Sequence, residues 1–283
     1  MQVARALRDA AGALAAVSDT ARLDAEVMMA GALGVSRSDL LLRHMGDGVP
    51  DCFADFVARR MRHEPVAYVV GHQEFYGRDF LVTPEVLIPR GDSEVLVETA
   101  LGEAPDARRV LDCGTGSGAL VLSVLAERPD LNGVGIDRSL GALAVAAANA
   151  ARLGLAHRVR MLRRDWDMPG WSDGLGPFGL ILANPPYVEM DACLSRSVRD
   201  YEPAGALFAG PDGLAAYRVL LAQLPAMLDE SGVVLVEIGA AQADDVRAIA
   251  EAAGFDARLQ HDLGGRPRVL VLRFGLGKAG QPR

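Results

Sequence analysis

An apolar run from Phe178 to Ala183 ends on Asn184-Pro185-Pro186-Tyr187. Prolines remove backbone donors and fix φ, so no interior strand continues through this point. What remains is an amide, a rigid elbow and an aromatic ring, and that set suits methylation of a planar NH2 group. A nitrogen conjugated to a carbonyl or a ring is a poor nucleophile, because its lone pair is delocalised. Two acceptors, the Asn184 side-chain oxygen and the Pro185 carbonyl, would hold its two N–H groups and aim the lone pair at an electrophilic methyl. The prolines would keep those acceptors rigid, and Tyr187 would pack against the flat group. Read without a ligand, the same residues are a polyproline-type turn out of the sheet. Adenine N6, cytosine N4 and the glutamine side chain all satisfy the pattern, and the motif does not choose among them.

A second constellation precedes it. The stretch VLDCGTGSGAL carries Asp112 and then Gly114, Thr115, Gly116, Ser117 and Gly118. Glycines there allow a tight turn and a close backbone approach to a ligand at a helix N-terminus. Gly114-x-Gly116-x-x-Ala119 also fits a dinucleotide fingerprint, and a glycine turn with no ligand fits as well. Asp112 shifts the balance, since a carboxylate beside the first glycine would oppose a pyrophosphate. S-adenosylmethionine carries a sulfonium and an ammonium instead, and a nearby acid then suits its charge. Asp137 ends the next strand, GVGID, where a carboxylate accepts from both ribose hydroxyls. After the third strand come Asp165 and Trp166, a carboxylate and a flat ring that suit adenine, although Trp166 alone reads equally as a core or lid residue. The three loops follow one another at successive strand ends, in the order a single ligand would need.

These residues require a sheet whose strands all end at one edge. From about residue 92 the chain alternates RRVLDC, NGVGID, RVRML, FGLILA and GVVLVEI with the helical segments ALVLSVLAER, LGALAVAAANAARLG and LAAYRVLLAQLPAML. Continuous apolar strands alternating with helices predict a mostly parallel sheet covered on both faces. FDARLQH and RVLVLRF are separated only by the short turn HDLGGRPR and must pair as an antiparallel hairpin. Residues 1–65 read as helices, with Ser36 or Ser38 capping a short one and Pro65 stopping the last. Residues 66–88, rich in Val, Tyr and Phe around Tyr76-Gly77-Arg78, read as a β-hairpin linker, and 89–283 as the α/β domain.

Composition narrows the partners. The 283 residues carry a formal net charge of -8, which disfavours a nucleic-acid backbone as main partner. The most basic stretch, Arg59, Arg60, Arg62 and His63, reads as the solvated face of a helix. Lys278 is the sole lysine and suggests no function. Cys52, Cys113 and Cys193 are scattered, without a CxxC, which argues against disulfides or zinc and fits a reducing cytoplasm. No run approaches a membrane span, and Arg5, Arg8 and Asp9 make the N-terminus an amphipathic helix rather than a signal peptide.

The ordered set PVAYVVGHQEFYG, FLVTPEVLIPRGDSEVLVE, VLDCGTGSGAL, GID, DW, ANPPYV, VRDYEPAGAL and GGRPRVLVL resembles the protein-(glutamine-N5) methyltransferases. Within them it is most similar to the branch that modifies the glutamine of the GGQ motif in class 1 peptide-chain release factors. The resemblance covers nearly the whole chain, including an N-terminal half that nucleic-acid methyltransferases sharing NPPY lack. It implies an α/β, Rossmann-like class I S-adenosylmethionine-dependent methyltransferase sheet with an N-terminal helical domain for substrate recognition. It implies S-adenosylmethionine as cofactor, S-adenosyl-L-homocysteine as product, no metal, a release factor as partner and a cytoplasmic monomer. By position, the cofactor contacts fall on Gly114 to Gly118, Asp137, Trp166 and Asn184, and the glutamine site on Asn184, Pro185, Pro186 and Tyr187. LIPRGDSE would lie over the reaction site, with Phe75 and Arg90 as further substrate contacts. Gly91 stands where the family usually has proline, which should loosen that loop and makes Arg90 and Glu94 weaker candidates. Cys113 replaces a usual aliphatic residue, for which a small buried thiol is an adequate substitute. A ribosomal-protein glutamine is the nearest alternative substrate, with RGDSE and VRDYEP favouring the release factor. Nucleic-acid amino-methylation would call for a basic face and a target-recognition insertion, and the sequence has neither.

Overall fold

Helices α1 (Val3–Leu14), α2 (Ala21–Leu33), α3 (Arg37–Arg43), α4 (Phe53–Met61) and α5 (Val66–Val70) open the chain in a computed structural model that describes residues 2–275. Lys278 lies outside the described residues. Each helix has a physical start or stop. The Ser36 hydroxyl caps α3 by accepting from the Asp39 N–H at 3.0 Å, and Gly34 ends α2 in the left-handed region with φ 67°. Leu7, Leu14, Met28, Met29 and Leu40 pack as one core, with Phe53 and Val69 closing it. The Val66–Val70 segment corrects the expectation of a strand. Its apolar residues serve a helix because Val69 joins this core and Val70 seats on Gly31 of α2, where an added Cβ would stand 2.9 Å from Val70 Cγ1.

The hairpin is real but shorter, β1 (His72–Phe75) and β2 (Arg78–Leu81). Tyr76 (φ 50°) and Gly77 (φ 68°) turn it with two positive φ values, the signature of a type I′ turn. Then follow α6 (Glu94–Glu103), β3 (Arg109–Cys113), α7 (Ala119–Glu127), β4 (Asn132–Asp137), α8 (Leu140–Arg152), β5 (Val159–Arg163) and β6 (Phe178–Ala183). After α9 (Arg196–Tyr201) and α10 (Ala215–Leu221) come β7 (Leu228–Glu237), α11 (Ala243–Ala252), β8 (Phe255–His261) and β9 (Pro267–Phe274). Helix α11 was not anticipated from the sequence.

The seven-stranded sheet runs β5-β4-β3-β6-β7-β9-β8. Its first five strands are parallel and β9 pairs antiparallel with both β7 and β8. Side chains alternate between two cores. Val110, Leu180, Leu182 and Leu235 meet α6 and α7 on one face, while Leu111, Ile181, Ala183 and Val236 meet α10 and α11 on the other. Contacts divide the chain into a helical unit (residues 1–72, 82–84 and 194–202) and a sheet unit (73–81, 85–193 and 203–275 of the described chain). The hairpin strands thus go with the sheet, and α9, which carries most of VRDYEP, returns to the helical unit, where Tyr201 Oη donates to the Arg62 carbonyl at 2.8 Å.

Of the basic stretch Arg59, Arg60, Arg62 and His63, Arg62 is exposed as expected, but Arg60 turns inward. Arg60 is 9% exposed, with its Nε on Asp24 Oδ2 at 2.7 Å, and Arg59 pairs with Glu64 at 2.6 Å. Arg60 lies on the face of α4 turned to the helical core, and Asp24 receives its charge there.

Candidate active site

The strand ends β3, β4 and β6 deliver the expected residues to one edge. Gly114 (φ 76°), Gly116 (φ 54°) and Gly118 (φ 82°) occupy the left-handed region, which any L side chain would resist. The loop spends its own donors internally. The N–H groups of Gly114 and Thr115 both reach the Ile136 carbonyl at 2.9 Å, Gly118 reaches Thr115 at 2.7 Å, and Gly116 reaches Asp137 Oδ2 at 3.1 Å. Donors engaged in this way cannot form a pyrophosphate cradle, which separates this turn from the dinucleotide fingerprint it also fits.

Asp112 sits 1% exposed beneath the loop. The Thr115 hydroxyl donates to its Oδ2 at 2.6 Å, and its Oδ1 meets no donor in hydrogen-bonding geometry. Burial pushes its pKa up to about 7, partly opposed by the Thr115 bond and by the Val121 backbone N–H, with nearby Asp137 adding to the rise. A buried carboxylate oxygen left without a donor fits a ligand that brings its own N–H groups, and S-adenosylmethionine brings an ammonium. Asp137 Oδ1 accepts from the Ser139 N–H at 2.9 Å, so both its oxygens brace the loop while keeping lone pairs for hydroxyls. The Trp166 ring lies over Gly114, where an added Cβ would stand 3.2 Å from Cη2. Asp165 instead caps its own turn, accepting from the Asp167 N–H at 3.1 Å.

Two residues unforeseen in the sequence hold these loops. Asn149 is wholly buried in α8; its Nδ2 donates to the carbonyls of Ser117 (2.9 Å) and Leu81 (3.0 Å) and its Oδ1 accepts from the Leu81 N–H (2.7 Å). It straps the hairpin to the glycine loop. Gln242 donates from Nε2 to the Tyr187 carbonyl at 3.1 Å. Beyond Tyr187 the chain is fixed again, as Val188 donates to the Leu207 carbonyl at 2.8 Å and accepts from Ala209 at 2.9 Å.

Asn184 and Tyr187 are half-buried and Pro185 is buried. Tyr187 packs beside the α10–α11 core, and burial first, then Glu237, push its phenol upward. The acid Glu237 is the functional candidate that the sequence reading missed. It ends β7 at 2% exposure, and burial raises its pKa to about 7, opposed in part by the nearby Ser93, Arg268 and Asn184. Its Oε2 has no partner. The available signal was one glutamate at the end of the apolar run VVLVE, in a strand buried on both faces.

Other candidates fall elsewhere. Phe75 is 1% exposed and stacks edge-on against Phe80 at 6.1 Å, so packing against the core occupies its ring. Glu94 Oε1 accepts from the Tyr76 N–H at 2.8 Å and holds the hairpin turn. Arg90 is half-buried and its charge reaches Tyr187. Gly91 starts a 3₁₀ turn whose Asp92 binds Arg268 at 2.8 Å and Arg266 at 3.2 Å. The described residues hold no group of three or more His, Cys, Asp or Glu placed to bind a metal, and no helix among them is long and apolar enough to cross a membrane.

Comparison with known proteins adds a family. The PrmC N-terminal domain family matches residues 5–71, and the methyltransferase small domain family matches residues 91–200. A release factor glutamine methyltransferase of Cereibacter sphaeroides is 44% identical over 97% of this chain and 99% of its own. Proteins of the same name from Agrobacterium fabrum and Geobacter sulfurreducens are 41% and 40% identical, over 89% and 91% of this chain and 90% and 91% of theirs. In fold the chain is similar to a methyltransferase from Pyrococcus furiosus, with a TM-score of 0.52 and 16% identity over 79% of this chain and 100% of that one.

Proposed function

We propose that this chain, which belongs to the release factor glutamine methyltransferase family, methylates the side-chain nitrogen (N5) of the glutamine in the GGQ motif of class 1 release factors, using S-adenosylmethionine. The observation that carries this reading is the elbow at the end of β6, Asn184 to Tyr187, on the same sheet edge as the unpaired Asp112 oxygen.

When bound, S-adenosylmethionine supplies a methyl group made electrophilic by its sulfonium. Asp112 and the Gly114–Gly118 loop would hold its amino-acid end, Asp137 its ribose and Trp166 its adenine, with Asp165 a further adenine candidate. Asn184 Oδ1 and the Pro185 carbonyl would each accept one N–H of the substrate amide. Holding both protons in this way aims the lone pair at the methyl and favours a pyramidal nitrogen in the transition state, and the methylated nitrogen then gives up one proton, afterwards or through these acceptors. Pro185 and Pro186 remove backbone freedom, so the acceptors need no reorganisation when charge develops. Tyr187 would cover the planar amide, and Arg90 would contact the incoming loop. No residue here need become a covalent nucleophile.

The helical unit would recognise the body of the release factor, and the work would be done in the cytoplasm by a single chain. The test offers labelled S-adenosylmethionine together with a class 1 release factor, ribosomal proteins, and DNA or RNA. Label on one glutamine of the factor is the expected result. Label on nucleic acid or a ribosomal protein, with none on the factor, overturns the reading.

A further inference from the structure

We propose that Glu237 is a positioning residue for methyl transfer, holding the Asn184 carboxamide in the one orientation that turns its oxygen toward the substrate amide. The inference deepens the reading of Asn184 as substrate acceptor and rests on it.

The juxtaposition is built into the sheet. Ala183 pairs with Val236 in parallel register, so Asn184 and Glu237 leave neighbouring strands side by side. Leu180 and Leu182 in β6 and Leu235 in β7 face the same core, and alternation puts Asn184 and Glu237 on that same face. Glu237 is 2% exposed, its Oε2 finds no partner, and the Ser93 and Asn184 side chains lie near enough to its carboxyl to oppose the effect of burial on its pKa. The Tyr217 hydroxyl donates to the Glu237 backbone carbonyl at 3.0 Å and pins the strand end.

The two ends of a carboxamide are nearly equal in shape, so packing alone does not decide which way it faces. An ionised carboxylate does decide, because it only accepts. Asn184 must meet Glu237 through Nδ2–H, which turns Oδ1 away from Glu237. The flipped carboxamide would set an NH2 group against the substrate's own NH2, donor against donor. Ser93, buried beside Glu237, lowers the pKa of its carboxyl as a nearby donor would. Arg268, anchored to Asp92 at 2.8 Å, supplies compensating charge from β9. A buried acid at this point has no packing advantage over leucine, and its cost is explained by the orientation it imposes.

The experiment measures labelled methyl transfer to a release factor by wild type, E237L, E237Q, N184A and the double variants, with cofactor affinity and melting temperature measured beside it. E237L should lower kcat on the order of 100-fold while the KM for the factor and the cofactor affinity stay within about threefold. E237Q keeps a carbonyl acceptor but adds a donor, as the protonated acid does, and should recover only part of that loss. In the N184A background, either change at Glu237 should cost less than about twofold more, because Glu237 acts through Asn184. The pH profile is the second readout. Glu237 faces Ser93, Asp92, Arg268, Asn184, Tyr187 and Tyr217, and its carboxyl titrates at about 7. Protonation turns it into a donor, so wild-type kcat should fall below that pH, and E237Q should lose this acid limb.

Wild-type kcat in E237L, or losses at Glu237 and Asn184 that multiply, would overturn the proposal. Should E237L fail to fold, E237Q alone and with N184A carries the same test. A wild-type enzyme that leaves the release factor unlabelled would refute the functional reading instead, so the two failures are distinguishable.

Discussion

Asp24 and Glu26 in the helical unit are buried together with the cations that neutralise them, whereas Asp112 and Glu237 at the sheet edge are buried with an oxygen left over. Asp24 binds Arg60 at 2.7 Å and also accepts from the hydroxyls of Ser18 and Thr20 at 2.7 and 2.9 Å. Glu26 lies between Arg22 and Arg37, at 2.5 and 2.7 Å. Burial alone would raise the Glu26 pKa, but the two guanidiniums outweigh it and hold it below the usual carboxylate value. Asp112 and Glu237 have no such ion pair, and burial takes both to about 7. Among the described residues these two alone leave a buried carboxylate oxygen without a partner. Paired acids hold a fold together. Acids buried without a direct ion pair cost stability, and they persist where a ligand or a reaction makes use of them.

The comparison breaks first at Asp24. Replacing it with alanine strands Arg60, and thermal or urea unfolding should show a loss of about 3–5 kcal/mol. Turnover per folded molecule should be unchanged. If Asp24→Ala left stability untouched, the helical unit would not depend on its paired charges.

Asp112→Asn should act in the opposite sense. A carboxylate whose folded pKa is raised adds stability that is complete below its ordinary value of 3.8 and is lost as pH rises through about 7. The amide cannot ionise, so at pH 8 the variant should be more stable than wild type, by about 4 kcal/mol at most. At pH 4 the two should melt alike. Calorimetry should also show cofactor affinity falling, on the order of tenfold. A variant destabilised at pH 8 would mean that Asp112 serves the fold.

Gly213 probes the backbone that holds Tyr187. Its φ is 69°, and an added Cβ would collide with the Tyr187 carbonyl oxygen. Gly213→Ala should cost about 1–3 kcal/mol in thermal unfolding and reduce turnover by displacing Tyr187. The smallest effect belongs to Arg266, which pairs with Asp92 at 3.2 Å while itself 57% exposed. Arg266→Ala should change the melting free energy by less than about 1 kcal/mol, and less still in high salt.

The sheet was legible in the sequence because its strands are continuous apolar runs between glycine-marked turns, and the periodicity left few alternatives. The order of Asp112, the glycine loop, Asp137 and Asn184 was legible for the same reason, since each stands at the end of such a run. The failures occur where tertiary contacts override local pattern. Val66–Val70 looks like a strand by composition, yet its valines fill a helical core against Gly31. Arg60 looks like surface until Asp24 is placed beside it. Asn149 and Glu237 are single polar residues within apolar stretches and Gln242 one polar residue just ahead of Asp244 and Asp245, and only the packing of neighbouring elements shows what they hold. Phe75, read from family position as a substrate contact, lies in the core against Phe80.

The most direct test of the central claim, that the β6 elbow holds the substrate amide, is single-turnover transfer by Asn184→Ala with cofactor affinity measured on the same preparation. Loss of an acceptor that acts in the transition state predicts a rate on the order of 100- to 1,000-fold lower with cofactor affinity within about threefold of wild type. A transfer rate near wild type, or a loss explained entirely by weaker cofactor binding, would contradict it.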